Sequence, residues 1–469
     1  MMPEHSASGY IRSIEYIDRY YGEFNPWMLR YVAALHGIAC PDFSEGFTYC
    51  DLGCGSGMST LMLAAANPAA QFFGVDFNPE HIRHGEQTRQ VAGIDNCVLL
   101  ERTFGEIYAD ALPDMDIIVL HGVYSWVSDE TKAELRDILR WKLKPGGIAL
   151  ITYNALPGWA PLAPLRDFMR EYALGSSVDI LDVAREGIKY LHFLAETDAP
   201  YFRNNTAARQ MLDLLGRHDI RYIAHEFFTK HWRPLYFREA AEDLIKAGLN
   251  FCGQFPLYLN YGEICLPTAS QSITTTAPNR IAFETHKDFV RNTMFRWDIF
   301  VKATPQFAPD SPENHRDIRF GLLKSIGEIQ LEMQIPGGRK IGLNGEIYSR
   351  ILDFFNLNCG ATLGETFASL TNYKPEEVVS AVQYMVMLDA VRPFAKHVKT
   401  QIPSVAGLSQ ANRTFADIQL TADGSVVLAA PVFGAGILMG REDADELLGK
   451  THGKQEHTKV FERAAALGL

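Results

Sequence analysis

Between residues 47 and 154 the apolar positions come in short runs: "FTYCDLG", "QFFGVDF", "CVLLERT", "MDIIVLHG" and "GIALITYN". Each run is rich in β-branched and aromatic residues, and most are separated by longer stretches with helical spacing. Short apolar strands alternating with helices predict a parallel, doubly wound α/β sheet. "SDETKAELRDILRWKL" reads as one of the helices, with acids in its first turn and basic residues in its last, which suits the helix dipole. "KPGG" (144–147) supplies the turn into the fifth strand.

The flanking segments read differently. "SIEYIDRYYGEFNPWMLRYVAALHG" predicts two helices broken around Asn25 and Pro26, and residues 161–217 are helix-like with few strand candidates. Then "RYIAHEFF" reads as a strand, "YFREAAEDLIKAGL" as a helix and "NFCGQFPLYL" as another strand, enough to finish the same sheet. The Ser/Thr-rich "TASQSITTTAPN" reads as a linker. Beyond it the helical stretches resemble a small winged-helix-like unit, with a hairpin expected in "DIQLTADGSVVLAA" around 422–424. The expected division is cap helices 1–46, core 47–160, a helical insertion or lid 161–217, the last strands 218–267, linker 268–279 and a mainly helical C-terminal substrate or regulatory domain 280–469.

Composition narrows the function classes. Hydrophobic residues make up 47% and charged residues 21% of the 469, as in ordinary globular proteins. There is no apolar run of transmembrane length, and the first residues carry charges where a signal peptide has its apolar core, so a cytoplasmic location is expected. A net charge of −12 argues against nucleic acid and against a membrane surface as partners. Seven cysteines without a CxxC spacing argue against a disulfide framework or a zinc knuckle. No metal site is expected; His81 and His84 lack a third ligand at a recognisable spacing.

The chemistry concentrates in "TYCDLGCGSGMSTLML" (48–63), a strand, a glycine loop and a helix start. A phosphate-binding loop needs GxxxxGK[ST], which is absent. A dinucleotide fingerprint needs a third glycine where Met58 stands. What remains is Asp51, Gly53, Gly55 and Gly57 in DxGxGxG spacing, a flat backbone beside a carboxylate that repels pyrophosphate and welcomes an ammonium or sulfonium. Asp76 closes the second strand, where an acid can accept hydrogen bonds from both hydroxyls of a ribose.

With "LKPGG" before the fifth strand, this set resembles the class I S-adenosylmethionine-dependent methyltransferases, whose fold is a Rossmann-like, seven-stranded sheet. The resemblance implies that Asp51 lies near the methionine amino group and that the Gly53–Gly57 loop wraps the methionine. It implies that Asp76 binds the ribose, Phe77 covers one adenine face, Thr103 and Phe104 stand at the adenine edge, and His121 and Gly122 back the cofactor. Phe77 and Phe104 read equally as core aromatics.

On the acceptor side, strands four and five end in "HGVYSWVSD" and "TYNALPGW", directing His121, Tyr124, Trp126, Tyr153, Asn154 and Trp159 toward one region. An aromatic mouth excludes water and tolerates cations. If "RYIAHEFF" is a strand, His225 and Glu226 face the same pocket, where either can orient or deprotonate an acceptor; Tyr124 is a third catalytic candidate. The plainer reading packs Trp126 and Trp159 against the insertion and pairs His225 with Glu226 structurally. "HGVYSWV", "YIAHEFFTKHWRPLYFREAAEDLIKAGL" and "DFVRNTMFRWDIFVKA" resemble methyltransferases with a methyltransferase regulatory domain, among them the rickettsial protein-lysine methyltransferases. That resemblance implies a protein lysine as methyl acceptor. A small-molecule acceptor, a non-catalytic scaffold that binds S-adenosylmethionine, and a homodimer stay open.

Overall fold

The computed structural model describes residues 19–39, 41–107, 112–173, 179–217, 219–309, 311–335, 338–396, 409–419, 424–448 and 469. Five parallel strands form as the apolar runs predict: β1 (Thr48–Leu52), β2 (Gln71–Asp76), β3 (Cys97–Glu101), β4 (Met115–Leu120) and β5 (Leu143–Asn154). With β6 (Asn250–Phe255) and β7 (Phe295–Val301) they make a seven-stranded sheet in the order β3-β2-β1-β4-β5-β7-β6. Strand β7 runs antiparallel to both of its neighbours. The strand order reverses between β1 and β4, and the crevice at their carboxyl ends is where such sheets bind ligands.

Alternation along each strand feeds two cores. Ile117, Val119, Ile148, Leu150, Ile299 and Val301 face one layer, and Ile118, Leu120, Ala149, Ile151 and Phe300 face the other. The first layer holds α1 (Pro26–Leu35) and α2 (Met58–Ala66) and runs without a break into the C-terminal part, through Phe320, Val382 and Phe433. The C-terminal part therefore shares a core with the sheet. It contains β8 (Arg319–Gly321) between the strands Ala361–Thr362 and Arg392–Phe394, with helices Glu346–Leu357, Leu363–Ser369 and Pro375–Met387.

Several expectations change. The first of the two N-terminal helices falls largely outside the described residues, and 19–25 is a non-helical segment with one 3-10 turn, Gly22–Phe24. "RYIAHEFF" is a helix, Ile220–Phe228, capped by the Asp219 side chain, because its apolar residues meet the helical insertion on one face. The seventh strand comes instead from "FRWDIFV", beyond the supposed linker, so the sheet does not end at 267. The linker itself contains short helical turns, Thr268–Ser270 and Ile273–Thr276. The C-terminal hairpin lies one strand later than expected, between Val426–Ala430 and Ala435–Met439; part of the expected turn lies outside the described residues.

A buried ionic cluster locks β7 in place. Arg296 is fully buried and bonds Glu284 (3.0 Å), Asp288 (2.7 Å) and Asp298 (2.9 Å), while Lys287 pairs with Glu284 at 2.5 Å. Three carboxylates hold the guanidinium charged; against the rise that burial imposes, Lys287, then Arg280 and Arg296, draw Glu284 down to about 2.

Candidate active site

The glycine loop after β1 turns on three left-handed residues, Gly53, Gly55 and Gly57. A Cβ on Gly53 would stand 2.5 Å from Val123 Cγ2, whereas Gly55 opens on empty space. Gly57 caps α2 and packs against Leu99, so it shapes the loop without lining the cavity.

A cavity of about 630 Å³ opens at the loop. It is lined by Asp51, Gly53, Gly55, Asp76, Phe77, Thr103, Phe104, His121 and Gly122, which are the expected cofactor residues except Gly57. Asp76 is organised from the backbone: its carboxylate accepts from Gly55 N (3.0 Å) and Asn78 N (2.9 Å), with His81 Nδ1 3.3 Å away. Asp51 accepts from Thr60 Oγ1 at 2.8 Å, and burial pushes its carboxyl up to about 7, with the nearby Asp76 charge adding to the rise. A buried carboxyl facing a cavity is a receptor for a cation. Thr103 is bonded through both its N–H and its hydroxyl to Glu106.

Sequence reasoning missed the cavity's N-terminal wall. Arg19, Tyr21 and Phe24 line it. Tyr21 N donates to Ser59 Oγ (3.0 Å), and Ser59 Oγ donates to Arg19 O (3.1 Å), so the segment is stitched to α2. The aromatic density of "YYGEF" was the available signal. Its role depends on a contact across nearly forty positions, which no local pattern encodes.

A second, smaller cavity of about 230 Å³ adjoins the first; Tyr21, His121, Gly122 and Trp126 line both. Ser125, Asn154, Tyr222, Glu226 and Phe295 complete it. His121 stacks on Trp297 (4.7 Å between centroids) and lies 4.1 Å from the Tyr21 ring. Burial and then the charge of Arg19 push its imidazole down to about 3, so it is neutral at physiological pH. Glu226 is buried; its Oε1 accepts from Trp232 Nε1 (2.7 Å) and from the Asn154 amide. Burial raises this carboxyl to about 7 against the lowering of those hydrogen bonds and of Arg166.

Four of the expected acceptor residues face elsewhere. Tyr124 lies under the sheet, where its hydroxyl bonds Asp243, itself paired with Arg136. Tyr153 precedes Asn154 on β5 and points to the opposite face, bonding Asp298 at 2.5 Å. Trp159 sits in the core of the insertion, edge-on to Trp232 at 5.0 Å. His225 is one helical position from Glu226, hence about 100° around the axis, and lines neither cavity. Glu226 reaches the chamber from a helix, not from a strand end.

Among the described residues, no helix is long and apolar enough to cross a membrane. Residues 43–198 match the family model described as a methyltransferase domain, and residues 219–302 match that of a predicted methyltransferase regulatory domain. The second match includes β6 and β7, so the segment that carries the regulatory label builds two strands of the catalytic sheet. An uncharacterized protein of Synechocystis sp. is 32% identical over 94% of this chain and 87% of its own length. One from Rickettsia prowazekii is 31% identical over 46% of this chain and 86% of its own. The fold matches PKMT2 from Rickettsia typhi, solved in complex with AdoHcy, with a TM-score of 0.69 at 22% identity, covering 95% of this chain and 90% of that one. The chain thus belongs to the class I methyltransferases that carry a methyltransferase regulatory domain and use S-adenosylmethionine as cofactor.

Proposed function

We propose that this methyltransferase methylates the side-chain amine of a protein lysine, with Glu226 as the group that holds and deprotonates it. The observation that carries this reading is the small chamber beside the cofactor cavity, walled by Tyr21, His121, Trp126, Tyr222 and Phe295 and holding the buried carboxyl of Glu226. Neither lysine nor arginine is among the described residues that line it. Its size suits a narrow, unbranched side chain, and ring faces beside a carboxylate suit an ammonium.

The cofactor's parts have partners of matching chemistry. Asp51 would hold the methionine ammonium, Arg19 would supply a cation for its carboxylate, and Asp76 would accept from the ribose hydroxyls; all three line the cavity. When bound, the cofactor supplies an electrophilic methyl group on a sulfonium. A lysine ammonium has a solution pKa of about 10.4 and must lose a proton before its nitrogen can attack. Burial among rings lowers that value, and the Glu226 carboxylate takes the proton from Nζ. Asn154 and Trp232 fix the carboxylate's direction, while the rings exclude water and keep the amine in line with the methyl group.

The reading is tested with methyl-labelled S-adenosylmethionine and a lysate of the native source, separating protein from small molecules. Label mapped to lysine in a protein band supports it. Label confined to the small-molecule fraction overturns the protein acceptor, and no turnover with measured cofactor binding leaves a binding scaffold.

A further inference from the structure

The N-terminal segment contributes Tyr21 to both cavities, beside His121, Gly122 and Trp126, and the C-terminal hairpin reaches that segment directly. Gly436, on the second strand of the hairpin, donates its backbone N–H to the Tyr20 hydroxyl at 2.8 Å, across 416 positions of sequence. The fit is close. A Cβ on Gly436 would stand 2.7 Å from Tyr20 Cζ and 3.0 Å from Cε1. The next residue, Tyr21, lines both the cofactor cavity and the acceptor chamber and rests against His121.

The hairpin is seated on the cofactor-binding unit by further contacts. Asn67, at the end of α2, accepts from Trp27 Nε1 (2.9 Å) and donates to Gly434 O (2.8 Å). Gly434 is left-handed, with the Trp27 indole where a side chain would be. Gln419, at the end of the preceding helix Gln410–Ile418, bonds the hairpin at Val427 N (2.7 Å) and O (3.2 Å) and lies 4.0 Å from the sulfur of Met58, a cavity-lining residue. One rigid path therefore runs from the C-terminal hairpin through Tyr20 to Tyr21.

We propose that Tyr20 is a positioning residue through which the C-terminal hairpin holds Tyr21 against the cofactor, so that the C-terminal part of the chain sets how tightly the cofactor is retained. Tyr20 and Tyr21 lead into the 3-10 turn Gly22–Phe24, where Tyr21 O accepts from Phe24 N (3.2 Å) and the Tyr21 ring packs on Phe24 and His121. The side-chain tie to Gly436 and the Ser59 contact hold that segment down. The inference concerns cofactor retention and is independent of which acceptor is used.

The test is a double-mutant cycle on the full chain, read by calorimetric affinity for S-adenosylhomocysteine and by melting temperature. Tyr20→Phe removes the hydroxyl that accepts from Gly436 N and is expected to weaken affinity about five-fold, because Tyr21 is then held less firmly at the cavity. Tyr21→Ala is expected to weaken it more. In the Tyr21→Ala background, Tyr20→Phe is expected to change affinity less than two-fold, because its effect is transmitted through Tyr21. Gly436→Ala places a methyl against Val427 as well as the Tyr20 ring, so it should weaken affinity at least as much as Tyr20→Phe and also lower the melting temperature. Unchanged affinity in Tyr20→Phe overturns the proposal. So does the same loss with and without Tyr21, which would mark Tyr20 as a structural contact only.

Discussion

Asn154 at the end of β5 donates its side-chain amide to Glu226 on the helix Ile220–Phe228, joining residues 72 positions apart at the smaller cavity. This contact ties the insertion to the sheet and aims the carboxyl. Glu226→Gln should keep the fold and the cofactor affinity while lowering turnover by about 10²–10⁴-fold, the usual range for a lost acid–base group. Turnover of the wild type should rise with pH through about 7 as Glu226 ionises. Equal turnover by the Gln variant would remove Glu226 from the chemistry.

The same group predicts a stability slope. Its folded pKa is raised from 4.5 to about 7, so its contribution is fully present below about pH 4.5 and is lost as pH rises toward 7. The wild type should lose on the order of 3 kcal/mol across that window relative to Glu226→Gln. Urea titrations of both proteins at pH 4.5, 6 and 7.5 measure this, and parallel curves would refute it.

Cofactor affinity should depend on Asp51. Burial holds its carboxyl at about 7, and an ammonium binds the ionised form, so affinity should rise with pH and level off above 7. Below 7 the loss approaches about tenfold per pH unit. Calorimetry between pH 5.5 and 8 checks this, and Asp51→Asn should flatten the profile.

If Asp76 receives the ribose as proposed, Asp76→Ala should weaken cofactor binding by about 10–100-fold, through the lost charge-assisted bonds and the freed Gly55 N and Asn78 N. Melting should shift little by comparison. Unchanged calorimetric affinity would withdraw the ribose assignment.

Cutting the chain before 280 should not leave a stable cofactor-binding fragment. The cut removes β7 from between β5 and β6 and strips the shared core from the α1 layer. Within the whole protein, Arg296→Met should cost about 3–5 kcal/mol, because the buried Asp288 and Asp298 lose the cation paired with them while Glu284 keeps only Lys287 and Arg280. Arg83→Ala, which breaks the exposed pair with Glu80, should cost under about 1 kcal/mol. A folded 1–279 fragment that binds the cofactor would contradict the shared core.

The loop and strand-end lining of the larger cavity was legible in the sequence because its geometry is local. Asp51 and the glycines occupy one strand–loop–helix turn, Asp76 ends the next strand, and period-two runs set which ends converge. No tertiary information was needed for Phe77, Thr103 or Gly122 to reach the same cavity. The acceptor half was not local. Tyr153 and Asn154 are neighbours on β5, and which of them faces the chamber depends on where the buried Arg296 network sits behind the sheet. "RYIAHEFF" carries β-branched and aromatic residues that suit a strand, yet packing on the insertion made it a helix and turned His225 away from the chamber. The sequence by itself determined the first five strands, the glycine loop and the carboxylates beside it, since these follow from periodicity and local backbone geometry. Only the tertiary structure decided that β7 would come from beyond 280, that Tyr21 would wall both cavities, and that Gly436 would hold Tyr20, because those contacts join segments with no local signal for each other.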